Sequence, residues 1–271
     1  MDDPVKPRED KYYQAVLLDL DGVITRTAHI HAKAWKLMFD SYLRQLSERE
    51  GKTRAPFDIG ADYLKYVDGK PRYDGVRSFL ASRNIKLPEG TPDDPPDRET
   101  VSGLGNHKND IFHQMLREGG VETYADAVEQ IHRWLAKGMK TAVITSSRNG
   151  GEILRSAGLQ DLFTVKIDGV DAAELGLRGK PAPDTFLKAA SLLDVEPRLA
   201  VVVEDAISGV KAGRAGGFGL VVGVARDGPD VVEALRENGA DIVVRDLRDA
   251  DSLSSASKRS RRAGGPDPPR E

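Results

Sequence analysis

The chain has 271 residues, no cysteine, and 40 Lys and Arg against 43 Asp and Glu, a formal net charge of −3. The length fits one large domain or a core with an insertion, the charge balance offers no field for nucleic acid, and the lack of cysteine excludes thiol catalysis and a disulfide framework. No apolar stretch nears the ~20 residues that cross a bilayer, and residues 1–11 lack the apolar segment of a secretory signal. The expectation is a soluble, cytoplasmic monomer that binds neither nucleic acid nor membrane, with residues 1–11 a disordered N-terminus.

The first element is the run Ala15-Val16-Leu17-Leu18, which reads as a strand buried on both faces and ends in Asp19-Leu20-Asp21-Gly22. In an extended chain residues two apart share a face, so Asp19 and Asp21 reach one ligand. Two carboxylates aimed at one point repel unless a cation or a shared proton lies between them, which marks the strand tip as a site. After Ile24 the pattern turns helical, with Ile30, Ala34, Leu37, Met38 and Leu46 near helical spacing through residue 49. Residues 51–62 read as loop, 73–83 as a second helix, 87–101 as a solvated loop rich in proline and acids, and 108–118 as a third helix. Because these helices precede the second core strand, residues 28–119 are expected to form an inserted helical cap domain.

From Tyr124 strands and helices alternate. Strands are expected at 141–145, 165–168, 200–204, 220–224 and 241–244. Helices are expected at 125–137, 150–157, 184–193, 206–215 and 230–237. This is the pattern of an α/β fold, a doubly wound parallel-sheet core made of residues 12–27 and 120–250. Ligands of such sheets bind beyond the carboxyl ends of the strands. Gly216-Gly217-Phe218-Gly219 follows a helix, so it reads as a helix-to-strand turn and not as a dinucleotide loop. Residues 251–271 mix Ser, Gly and Pro with Lys258, Arg259, Arg261 and Arg262, a composition expected of a disordered tail.

Polar groups end three further fragments: Thr145-Ser146-Ser147 after Ala142-Val143-Ile144, Gly179-Lys180-Pro181-Ala182-Pro183-Asp184, and Glu204-Asp205 after an apolar run from Ala200. The order Asp-x-Asp, Thr/Ser, Lys, Glu-Asp resembles the haloacid dehalogenase superfamily of phosphotransferases. Asp19 to Thr25, then Thr27 and His31, then Lys180 to Asp184, resembles its β-phosphoglucomutase branch, over residues 13–244.

The resemblance implies Asp19 as the nucleophile that forms an aspartyl-phosphate, and Asp21 as general acid and base. It implies Mg²⁺ held by Asp19, Asp21 through its backbone carbonyl, Glu204 and Asp205, with Thr145 and Lys180 on the moving phosphate. His31 would hydrogen-bond Asp21 on cap closure, and Thr27 lies in the hinge at 25–28. Gly69, Lys70 and Arg72 would grip a far phosphate, Lys108 would meet the substrate from the cap, and Ser146, Ser147, Arg148 and Asn149 would hold the sugar side. Two positions depart from the pattern: Arg26 stands where the branch usually has Asp, and Asp68 where it often has Lys. The implied activity is an isomerase interconverting β-glucose 1-phosphate and glucose 6-phosphate through a bisphosphate. The alternative is an Mg²⁺-dependent sugar-phosphate phosphatase, acting for example on trehalose 6-phosphate. The partner in either case is a small-molecule sugar phosphate.

Overall fold

The structure, a computed structural model, describes residues 13–226 and 229–252. The segments expected to be disordered, 1–11 and most of 251–271, lie outside those residues, except that residues 251 and 252 belong to a 3₁₀ turn, Leu247–Ser252. The strands are β1 (Ala15–Leu18), β2 (Lys140–Ile144), β3 (Val165–Ile167), β4 (Ala200–Glu204), β5 (Leu220–Val224) and β6 (Ile242–Val244). They form one parallel sheet in the order β3-β2-β1-β4-β5-β6. The helices are α1 (Ala28–Glu50), α2 (Arg72–Ser82), α3 (Val101–Gly119), α4 (Ala125–Ala136), α5 (Gly150–Ser156), α6 (Gly169–Glu174), α7 (Asp184–Leu192), α8 (Ile207–Ala215) and α9 (Pro229–Glu237).

The apolar runs become central strands because both faces of the sheet are covered. Val16 and Leu18 of β1 pack into a layer with Ile131 and Trp134 of α4. Ala15 and Leu17 face the opposite layer, with Phe186 of α7 and Val210 of α8. The chain order reverses at β1, whose neighbours β2 and β4 come from opposite directions of winding. The crevice at such a reversal is where the carboxyl ends of strands are free to hold a ligand.

Between β1 and β2 the helices α1, α2 and α3 make a layer with its own core, including Trp35, Met38, Phe39, Phe57, Val76 and Phe79. The rings of Phe39, Phe57 and Phe79 meet at centroid distances of 4.1–5.2 Å. The two linkers to this insertion run side by side, with Arg26 N–H on the Glu122 carbonyl and Tyr124 N–H on the Ile24 carbonyl. Arg26 stacks on the Tyr124 ring at 4.6 Å within that hinge, away from the strand tips.

Four local features differ from the expectation. Helix α3 begins at Val101, seven residues before the predicted start, because Thr100 caps it through the Gly103 N–H at 2.9 Å. Gly103 and Gly105 lower the helical signal there, yet they let the Arg98 carbonyl and the Tyr73 ring approach the helix. The 87–101 loop carries no helix before Val101, but it is not wholly solvated. Asp94 is buried and accepts hydrogen bonds from Thr91, Arg98 and Thr100. Residues 63–67 form a π-helical turn, and α6 is a short helix with a capping box on Asp168; neither was anticipated.

Phe79 is fully buried at the centre of the insertion's aromatic cluster. Phe79→Ala should therefore cost about 3–5 kcal/mol of unfolding free energy, read by urea denaturation; a loss below about 1 kcal/mol would show that this cluster does not hold the insertion.

Candidate active site

The ends of β1, β2 and β4 converge on one ammonium group. Lys180, 3% exposed, comes from the loop before α7. Its Nζ donates to Asp19 Oδ1 at 2.5 Å, to the Ile144 carbonyl at 3.3 Å and to Glu204 Oε1. These three acceptors use all three ammonium protons. Burial alone would lower the Lys180 value, but the Asp19 and Glu204 carboxylates overcome it and push it up, so the group stays charged. Asp19 moves upward through burial and through Glu204 and Asp21, with Lys180 opposing.

Asp19, Glu204 and Asp205 bring carboxylate oxygens within 4.8 Å of one another. Three carboxylates against one ammonium leave two negative charges, and the donor atoms are hard oxygens. The set fits a divalent cation. Asp205 reaches this position because Gly22 lacks a side chain: a Cβ there would lie 1.8 Å from Asp205 Oδ2, and the backbone turns at φ +89°. Asp21 points elsewhere. Its carboxylate accepts from Thr27 Oγ1 at 2.5 Å and from Thr145 Oγ1 at 3.0 Å. Burial works against its ionisation, but His31 and these two hydroxyls hold it down at about 2. Thr145 Oγ1 also accepts the Ser147 N–H, so both of its roles are fixed.

The insertion closes over these groups. His31 of α1 stacks on Phe112 of α3 with ring centroids 4.1 Å apart. Lys108 Nζ and His31 Nδ1 lie in hydrogen-bond contact at 2.5 Å, and His31 Nε2 lies 3.3 Å from Asp21 Oδ1. At that distance the Nε2 group makes no well-aligned hydrogen bond. Burial and the neighbouring Lys108 charge lower the His31 value, with Asp21 opposing them. Lys108 also lies over the rings of Trp35 and Phe112 at 5.2 and 4.9 Å.

Latches join insertion and core: Ser146 Oγ donates to the Gly69 carbonyl at 2.8 Å, Ser208 Oγ to the Asp68 carbonyl at 3.0 Å, and Asn149 Nδ2 to Asn109 Oδ1 at 3.0 Å. Gly69, at φ +64°, permits the Ser208 approach, since a Cβ would meet its hydroxyl at 2.2 Å. Arg72 is the first residue of α2, whose N-terminus has no side-chain cap, and its buried Nε has no hydrogen-bond partner. Lys70 lines the same cleft, but its Nζ is held by the Tyr66 carbonyl and Ser78 Oγ. Ser147 and Asn149 line the floor, and Arg148 lies exposed at the rim. The free volume is about 70 Å³.

All of the residues expected at the site, on both sides of the cleft, thus lie in or against one cavity. Trp35 and Tyr63 were not anticipated. Trp35 sits in a helical apolar pattern that marks core, and Tyr63 opens a π-turn that follows no 3.6-residue period.

Burial, followed by the Arg72 charge, pushes the Lys108 ammonium down to about 7. Between that value and the ~10.4 of a free lysine, the unfolded chain holds the extra proton, so this group makes stability rise with pH. The unfolding free energy of wild type minus that of Lys108→Met should increase from pH 7 to pH 10 in urea titrations. A flat difference would mean that Lys108 titrates as in water.

A family model described as haloacid dehalogenase-like hydrolase matches residues 13–217. The chain is 52% identical over 235 residues to the β-phosphoglucomutase of Mycobacterium tuberculosis, covering 86% of this chain and 90% of that protein. It is 31% identical over 240 residues to the β-phosphoglucomutase of Bacillus subtilis, covering 87% and 91%. Among solved structures, a HAD family hydrolase from Deinococcus radiodurans R1 with bound phosphate and sodium aligns at 30% identity and a TM-score of 0.61, covering 90% of this chain and 97% of that one. With the sheet order, the acidic strand tips and the helical insertion all in place, the chain belongs to the haloacid dehalogenase-like hydrolases and stands close to their β-phosphoglucomutase branch.

Proposed function

We propose that this enzyme interconverts β-D-glucose 1-phosphate and glucose 6-phosphate through an aspartyl-phosphate on Asp19 and a glucose 1,6-bisphosphate intermediate. The observation that carries the reading is a cleft with two anion-binding ends. One end is the core acid set of Asp19, Glu204 and Asp205, which fits a divalent cation and, through it, a phosphate. The other is the unpartnered Arg72 donor at the uncapped start of α2, beside Lys108. A substrate with one phosphate needs one such end, whereas a bisphosphate intermediate needs both. The similarity to two β-phosphoglucomutases supports the same reaction.

In this reading phospho-Asp19 gives its phosphoryl group to the C6 hydroxyl of β-glucose 1-phosphate, and Asp21 takes the hydroxyl proton. The bisphosphate then turns end for end. The Asp19 carboxylate attacks the phosphorus at C1, and Asp21 returns the proton to the departing O1. Thr27 and Thr145 keep Asp21 ionised and oriented, and His31, steadied by Lys108 and Phe112, reports closure to it. Lys180 neutralises the phosphoryl oxygens while holding Asp19 in place. Mg²⁺ at Asp19, Asp205 and the Asp21 carbonyl, near Glu204, would withdraw charge from the transferring group. Gly69 positions the loop that brings Arg72 over the far phosphate, with Lys70 bracing that loop from within the insertion, and Ser146, Ser147, Arg148 and Asn149 face the sugar. The insertion, residues 28–119, is the moving part and 12–27 with 120–250 the fixed one. No helix among the described residues is long and apolar enough to cross a membrane.

The direct test supplies β-glucose 1-phosphate, Mg²⁺ and a catalytic amount of the bisphosphate, and follows products. Glucose 6-phosphate is expected; stoichiometric inorganic phosphate would make the enzyme a sugar-phosphate phosphatase instead. Asp19→Asn should lower turnover on the order of a thousandfold or more in folded protein, because an amide does not attack phosphorus.

Arg72→Ala separates the two reactions further. Truncating one side of a buried charge contact costs about 2–5 kcal/mol of binding, so isomerisation should collapse while slow hydrolysis persists in the intact core. Isomerisation at the wild-type rate would remove Arg72 from the site.

A further inference from the structure

Asp68 is an acid in an unexpected place. It leads the loop that the insertion pushes against the core, and it lines the same cleft as Asp19 and Asp205. Its position depends on a wide turn: the Asp68 N–H closes on the Tyr63 carbonyl five residues back, at 3.0 Å. Turns of this type widen a helix by one residue and recur at functional sites. Here the turn brings Tyr63 and Asp68 together, with the phenol beside the carboxylate. The Asp68 carbonyl is held by Ser208 Oγ and the next carbonyl by Ser146 Oγ. The carboxylate is therefore fixed against the core whenever the insertion is closed.

No cation answers it. Among the described residues Asp68 makes no salt bridge. The nearby cationic groups are committed elsewhere: Lys70 to Tyr66 and Ser78, Lys108 to His31, and Lys180 to Asp19 and Glu204. Its strongest electrostatic neighbours are acids, Glu204 on its own account and Asp205 through the effect Asp68 has on that residue. Such a carboxylate repels a sugar phosphate as well. In the closed form, four acids surround one ammonium, an arrangement that opposes closure unless further positive charge enters.

We propose that Asp68, oriented by Tyr63, is a cap-borne outer ligand of the divalent cation at Asp19 and Asp205, so that loading the cation draws the insertion shut. The inference rests on the cation reading of the core acids. It does not depend on which sugar phosphate is turned over. Asp68 is a positioning residue: it acts on the cation and on closure, not on the reacting atoms.

The test uses the full chain without substrate. Mg²⁺ affinity is measured by calorimetry, and hydrogen exchange of residues 63–72 is followed with and without Mg²⁺. In wild type, Mg²⁺ should bind and slow exchange in this segment. Asp68→Asn should weaken Mg²⁺ binding about 10- to 100-fold, the range for outer-shell partners of metal ligands, and abolish the Mg²⁺-dependent protection. Tyr63→Phe should shift both readouts in the same direction by less. Without Mg²⁺, Asp68→Asn should melt no lower than wild type and show at least equal protection, because it removes a charge that faces other acids. If Asp68→Asn keeps its Mg²⁺ affinity within twofold, or its segment still gains protection with Mg²⁺, the proposal fails. Unchanged Mg²⁺ affinity with weakened glucose phosphate binding would instead place Asp68 on a sugar hydroxyl. If wild type itself binds no Mg²⁺, the cation reading fails first and this inference with it.

Discussion

The buried ammonium of Lys180 is the constraint on which the site depends. It joins the tips of β1, β2 and β4, three strands that meet only because the sheet reverses its winding at β1. An isolated charge at this depth would be expelled or neutralised, and an isolated Asp19 would take up a proton. Together they persist, because each supplies what the other lacks and the Ile144 carbonyl takes the remaining proton. The arrangement is still anionic. That residual charge defines the chemistry: the core is prepared for a divalent cation and, through it, for a phosphoryl group.

The insertion has the opposite character. It meets the cleft with Lys108, Arg72 and the free amides of α2, held by a separate aromatic core around Phe39 and Phe79. The insertion and the sheet each have their own apolar core, and the two linkers between them are paired at Arg26 and Tyr124. The cleft therefore sets a cationic insertion face against an acidic core face. Asp68 is the exception to this division, an acid carried by the lid, and its place beside the cation site follows from a single wide turn.

Much of this was legible in the chain. The uninterrupted apolar runs at Ala15–Leu18 and Ala200–Glu204 are explained only by strands covered on both faces, and the acids that follow them mark the strand tips. Regular alternation after Tyr124 determined the parallel sheet, with strand and helix ends displaced by a residue or so. The elements that escaped notice are those without a clean period or with glycines inside them: the π-turn at Tyr63–Val67, the start of α3 at Val101 and the short α6. In each, a hydrogen bond from outside the segment or a close tertiary approach outweighs local propensity.

The sequence by itself picked out the candidate side chains, because carboxylates and hydroxyls recur at strand ends, and one lysine in the loop before α7, where no packing role explains them. Tertiary structure alone decided how they are shared out. Only in the fold does Asp21 turn away from the acid cluster toward Thr27, Thr145 and His31, while Glu204 turns toward Lys180. Only there does Lys70 spend its charge within the insertion while Arg72 keeps a donor free. The reason is that adjacent residues in a motif are equivalent by composition, whereas partners up to 161 positions away set the direction and charge of each side chain.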